Sequence, residues 1–184
     1  MCYLGTFVRG FLPRSNMAAL VIEVAPGLEI EPLTDIALKH VDVRPGILVV
    51  ERQFGYLELH SRSTAAVRSA GEALLEELGA TEADAMQPEI LAFKVVTRVD
   101  NYHAFLINRN KLGSMILPGE SMLVLEVQPA AYSILAANEA EKAADIKIVD
   151  YRMIGATGRL YVSGREADVR AAAEAAEAGL RARA

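Results

Sequence analysis

Apolar positions along this chain fall into short runs and helically spaced stripes that alternate with turn residues. The runs 20–24 and 123–127 are apolar apart from Glu23 and Glu126. Each ends at a proline, Pro26 or Pro129, and has the length of a buried strand rather than a helix. A helix follows each run. The first carries Pro32 near its start and places Leu33, Ile36, Ala37, His40 and Val41 on one face. Its counterpart, 131–144, is richer in alanine. Two further strands, joined by a glycine-containing turn, come next: 47–52 with 56–60, and 147–152 with 159–163. A closing stripe at i, i+3, i+4, i+7, i+8 and i+11 (Val67, Ala70, Gly71, Leu74, Leu75, Leu78) is matched by Val169, Ala172, Ala173, Ala176 and Leu180.

The two series are copies of one another. Ala19-Leu-Val-Ile-Glu-Val-Ala-Pro26 returns as Met122-Leu-Val-Leu-Glu-Val-Gln-Pro129, and at the same offset Lys39 falls on Lys142, Asp42 on Asp145 and Val43 on Ile146. Phe11-Leu12-Pro13 resembles Ile116-Leu117-Pro118. An ordered series of matches marks a tandem duplication of a β-α-β-β-α unit, with domains 1–86 and 87–184. Between the copies, a strand over 89–99 and a short helix over 102–110 lead the second unit. Residues 1–10 supply the equivalent helix of the first, but the equivalent strand has no counterpart. The expectation is that this sequence begins at an internal methionine, since a missing strand leaves an unpaired edge.

Composition narrows the function. Of 184 residues, 52% are hydrophobic but only 6% aromatic, with no Trp, so the helices pack closely through alanine and the remaining apolar surface is expected to meet other chains. A net charge of −5 argues against nucleic acid or an anionic membrane as a partner. No run is long enough to span a bilayer, and the start lacks a secretory pattern, so a cytoplasmic location is expected. A single cysteine, Cys2, allows no internal disulfide and no Cys-x-x-Cys site. His40, His60 and His103 lack metal-ligand spacing, and His40 is expected to be partly buried. Glu23 and Glu126 point away from the core rather than forming a catalytic pair. No Ser/His/Asp order or phosphate-cradling loop is present, so the chain does not read as an enzyme.

Several phrases together resemble a known family: Val49-Val-Glu-Arg-Gln-Phe-Gly55, Leu106-Ile-Asn-Arg-Asn110, Ile116-Leu-Pro-Gly-Glu-Ser121, Ala136-Ala-Asn-Glu-Ala-Glu-Lys-Ala-Ala144 and Ile154-Gly-Ala-Thr-Gly-Arg-Leu-Tyr161. They are similar to bacterial microcompartment (BMC) shell proteins of the tandem-domain, circularly permuted, trimer-forming class. The resemblance covers 4–182. It implies an α+β fold of two tandem ferredoxin-like permuted BMC domains, with three chains forming a flat pseudohexameric tile in the shell. It also implies other shell proteins as partners, a central pore for small metabolites and, in this class, two trimers stacked face to face.

The resemblance assigns residues as well. The turns between paired strands line the pore: Glu51, Arg52, Gln53, Phe54 and Gly55 in the first domain, Ile154, Gly155, Ala156, Thr157 and Gly158 in the second. A Glu-Arg pair at 51–52 closes the pore in gated members, whereas read alone it is a solvated surface pair. Lys39 and Lys142 are placed at the tile edge, though each also reads as an ordinary exposed helix lysine. Arg98, which departs from the usual Pro-Arg-Pro-His pattern, is the third edge residue. Some tandem members hold an iron–sulfur cluster through a turn cysteine; the turn here has none, so no cofactor is expected. The competing reading is a tandem ferredoxin-like regulatory protein that senses a small molecule.

Overall fold

The computed structural model describes residues 10–183. They form two compact units that divide between Met86 and Gln87. Unit one runs β1 (Ala18–Val24), α1 (Ile30–His40), β2 (Arg44–Glu51), β3 (Phe54–Ser61) and α2 (Thr64–Leu78), with a single 3₁₀ turn, Gly27–Glu29, before α1. Unit two runs β4 (Glu89–Val96), α3 (Asn101–Asn110), β5 (Ser121–Gln128), α4 (Tyr132–Ala143), β6 (Lys147–Arg152), β7 (Gly158–Gly164) and α5 (Glu166–Arg181).

All strand pairs among the described residues are antiparallel. The described order is β1-β3-β2 in unit one and β4-β5-β7-β6 in unit two. The duplication extends to register. Val24 pairs with Gly55 and Val127 with Gly158, and β2 and β6 each carry an irregularity, at Pro45/Ile47 and Ile148/Asp150. Gly10 N–H and Phe11 N–H donate to Gly46 O and Pro45 O; Gly113 N–H and Ser114 N–H donate to Val149 O and Ile148 O at the equivalent places. The peptide bonds before Pro26 and Pro129 are both cis.

The period-two pattern directs alternate residues to two faces. In unit one Leu57 and Leu59 point with Leu20, Ile22 and Val24 into a core completed by Ile30, Leu33 and Ala37 of α1 and Ala70 and Leu74 of α2. In unit two, Leu123, Leu125, Val127, Leu160 and Val162 are fully buried, as are Ala136 and Ala140 of α4 and Val169, Ala172, Ala176 and Leu180 of α5. Alanines at these positions let helix backbones approach closely, which accounts for a high apolar fraction with few aromatics. The opposite face of the second sheet has its own cluster, in which Met122 and Val149 meet Ala104 and Ile116. Asp100 caps α3 through Tyr102 N–H (2.8 Å), and Asn108 ties the helix to Ile116 with two hydrogen bonds.

Three expectations change. β4 stops at Val96, short of the predicted 99, because Arg98 is left-handed (φ 48°) and turns Val99 inward. His40 is exposed rather than partly buried; it ends α1, where its Nε2 lies 3.2 Å from Ser69 Oγ. The connection between β2 and β3 contains no glycine, being Arg52-Gln53 alone. The leading helix predicted over 1–10 lies outside the described residues apart from Gly10.

Candidate functional site

The resemblance directs attention to the two turns, and physically they are unlike. In unit one the register ends with Glu51 opposite Phe54, so Arg52 and Gln53 alone reverse the chain. Two-residue hairpins need a backbone twist that puts a residue at positive φ, and Arg52 supplies it at 56°. Glu51, Arg52 and Gln53 are all exposed. Glu51 Oε1 and Arg52 Nε are 3.8 Å apart, with side chains 52% and 92% accessible. At that distance and exposure the pair is an ion pair without a hydrogen bond, and it holds neither side chain in place.

Residues 153–157 close the second hairpin, and this turn is braced. Gly155 takes φ 114°, where a side chain is strained. Thr157 Oγ1–H donates to Glu126 Oε1 at 2.7 Å, and Arg159 Nε–H donates to the same oxygen at 3.2 Å. The Thr157 bond first, then Arg159, hold the Glu126 carboxyl below its ordinary value. Ser133, fully buried at the start of α4, lies 2.8 Å from Ala130 O and 3.0 Å from Arg152 O and shares its hydroxyl proton between them. Met153 is buried and Ile154 half-buried; Ala156 is exposed.

Phe54, half-buried, opens β3. Gly55 and Gly158 are buried strand residues rather than turn residues. A Cβ on Gly55 would stand 2.2 Å from Gly27 O, and one on Gly158 would stand 2.2 Å from Ala130 O. These glycines admit the carbonyl that follows the cis proline in each copy.

Lys39 and Lys142 occupy the last turns of α1 and α4, where a cation complements the helix dipole. Both are exposed. Lys39 is paired with Asp35 one turn back, and Lys142 with Glu139 at 2.9 Å. Arg98 is exposed on its left-handed corner, a conformation costly for a non-glycine residue.

Sequence reasoning missed Glu126 as the brace of the second turn, although its recurrence with Glu23 singled it out. It also missed a buried polar pair in unit one. His60 Nδ1 lies 3.1 and 3.2 Å from the two carboxylate oxygens of Glu58, with both residues at most 1% exposed. Burial pushes the Glu58 carboxyl up against the opposing pull of His60 and of Gly46 N–H. Among the described residues no group of His, Cys, Asp and Glu is arranged to hold a metal ion.

Residues 1–84 match the family model described as the CsoS1D N-terminal domain, and 121–183 match the BMC domain. The carboxysome shell protein CcmP of Synechococcus elongatus is 48% identical over 178 residues, which is 97% of this chain and 84% of that protein. A solved fused permuted hexameric shell protein from the RMM microcompartment is 64% identical, with a TM-score of 0.95 over 99% of this chain and 90% of its own. A double ringed trimeric shell protein of the same microcompartment is 46% identical, with a TM-score of 0.91 over 95% and 87%.

Proposed function

Because this chain belongs to the BMC-domain shell proteins of bacterial microcompartments, in their fused permuted class, we propose that three copies close into a pseudohexagonal tile with a gated central pore. The family's place is the microcompartment shell in the cytoplasm, and the reading is a structural one without catalysis. Its trimeric form rests on the trimeric relative that is 46% identical over nearly the whole chain.

The observation that carries the gate is the difference between the two turns. A threefold axis through the tile gathers three copies of each turn. Rings of like charge repel unless opposite charges interleave, and Arg–carboxylate forks between neighbouring copies satisfy both groups at once. Glu51 and Arg52 suit this role because nothing among the described residues fixes them: each is exposed and their mutual contact is 3.8 Å long. Interleaved, they seal the opening; swung outward, they leave it, giving two discrete states. The second turn is the fixed half of the lining. Thr157 has committed its hydroxyl proton to Glu126, so the donors it offers a polar metabolite are the backbone N–H groups of 155–157.

At the rim, Lys39, Lys142 and Arg98 are assigned to contacts with neighbouring shell proteins. The two lysines sit at equivalent places in both units, so a pseudosixfold tile presents them at successive edges. Stacking of two tiles belongs to the same reading, supported by the double ringed relative and by α3, which leaves Tyr102 81% and Phe105 59% accessible.

The gate is tested by Arg52→Gly, which removes the guanidinium while keeping the left-handed backbone unstrained, and by Glu51→Gln, which keeps shape and removes charge. Each is expected to raise the open-to-closed ratio among cryo-electron-microscopy classes by about fivefold, equivalent to about 1 kcal/mol of exposed ion pairing. Unchanged, fully closed pores in both variants contradict the gate.

A further inference from the structure

The internal duplication provides a comparison within one chain. On β2 and β3 the cross-strand pairs Val49–Tyr56 and Ile47–Glu58 face the side of the sheet away from Leu57 and Leu59; their counterparts on β6 and β7 are Arg152–Arg159 and Asp150–Tyr161. In unit one this surface is largely closed, with Ile47, Tyr56 and Glu58 at most 1% exposed and Val49 half-buried. In unit two it is open. Arg152 and Arg159 are 46% and 55% accessible, and beside them a cavity of about 460 Å³ is bounded across the sheet by α3 and by Asn110 and Lys111.

The charges in this groove are not arranged for stability. Two arginines stand directly opposite each other on adjacent strands, and like charges in that position are unfavourable. Each is only partly compensated. Arg152 Nε–H donates to Asp150 Oδ2 at 3.3 Å, and Arg159 Nε–H donates to Glu126 Oε1 at 3.2 Å. The Nη nitrogens of both guanidinium groups make no hydrogen bond among the described residues. Lys111 Nζ donates to a neutral acceptor, Gly113 O, at 2.7 Å. Three cations therefore line the groove against Asp150 in the lining and Glu126 beside it, which leaves an excess of positive charge in a chain whose net charge is −5.

We propose that this groove in unit two binds a small organic oxyanion, a metabolite bearing a carboxylate or phosphate group. The free Nη edges of Arg152 and Arg159 grip the anion bidentately, Lys111 adds charge, and Asn110 and the Tyr161 hydroxyl orient the remainder of the molecule. The volume suits a small metabolite. The site is complete within one unit, so it stands whether or not three chains surround a pore.

Isothermal titration of the full chain with inorganic phosphate and, separately, succinate at constant ionic strength tests this. At least one of them is expected to bind saturably at about millimolar affinity or tighter. Binding of phosphate alone assigns a phosphate-bearing ligand, and binding of succinate alone a carboxylate. The R152Q/R159Q double variant is expected to bind at least about tenfold more weakly, while Arg170→Gln on α5 leaves affinity unchanged. A purely structural role for the arginine pair predicts a lower unfolding temperature and unaltered anion affinity; a binding role predicts an equal or higher unfolding temperature with affinity lost. If the double variant unfolds, Arg152→Gln alone, at an exposed side chain, repeats the comparison. Saturation by neither anion, or equal affinity in wild type and the arginine variants, overturns the proposal.

Discussion

Close backbone approach governs Gly55 and Gly158. With Ala130 O only 2.2 Å from the Cβ that alanine would add, Gly158→Ala must displace either the carbonyl after Pro129 or the first residue of β7. The expected cost is about 1–3 kcal/mol, read as a lower midpoint in denaturant unfolding with an unchanged slope. Glu126 carries a pH dependence whose sign follows from its lowered pKa. Its folded carboxyl ionises more readily than in the unfolded chain, so its contribution is present above the ordinary value of 4.5 and is lost as pH falls through the folded value. Acid titration of thermal unfolding is therefore expected to show a steeper loss below about pH 4.5 in the wild type than in Glu126→Gln. The exposed Glu51-Arg52 pair was legible from its place at a strand end, whereas the Glu58–His60 pair was not. Tyr56-Leu57-Glu58-Leu59-His60 alternates as a strand with one wet face does, yet both faces of β3 are buried. Alternation reports which side chains share a face, not whether that face meets water.

Among elements, the helices were read best, because their apolar stripes and caps agree. Ser63 caps α2 by accepting from Ala66 N–H, and Gly79 ends it in the left-handed conformation at φ 62°. Ser63→Ala is expected to destabilise unit one by about 1 kcal/mol in thermal or denaturant unfolding, with no effect on assembly. Strands were found in the right order but drawn too short in several places: β1 begins at Ala18 and β5 at Ser121, because pairing with β3 and β7 continues past the apolar runs. The hairpins were the least legible. Arg52 adopts positive φ although glycine stood nearby at Gly55, which the packing against Gly27 and Ile30 claims instead. Nothing local in the sequence distinguishes a glycine kept for a turn from one kept for contact. The bracing of the second turn likewise depends on Glu126, 31 residues from Thr157 in sequence.

At the scale of the molecule, the duplication is the main lesson. Repeated phrases announced two copies, and the structure repeats them in strand register, in backbone bonds to β2 and β6 and in the carbonyl–glycine contacts. Where the copies diverge, function is proposed: a loose charged turn against a braced one, and a closed sheet face against a charged groove. The equivalent lysines Lys39 and Lys142 and the apolar exposure of α3 belong to surfaces that a single chain leaves uncovered. The readings of the tile, its gate and its edges converge on a threefold assembly, which the native mass tests most directly. Light scattering coupled to size-exclusion chromatography at micromolar concentration is predicted to give about 60 kDa, three times the 19.9 kDa chain, or about 120 kDa where two rings stack. A single species of about 20 kDa contradicts the account.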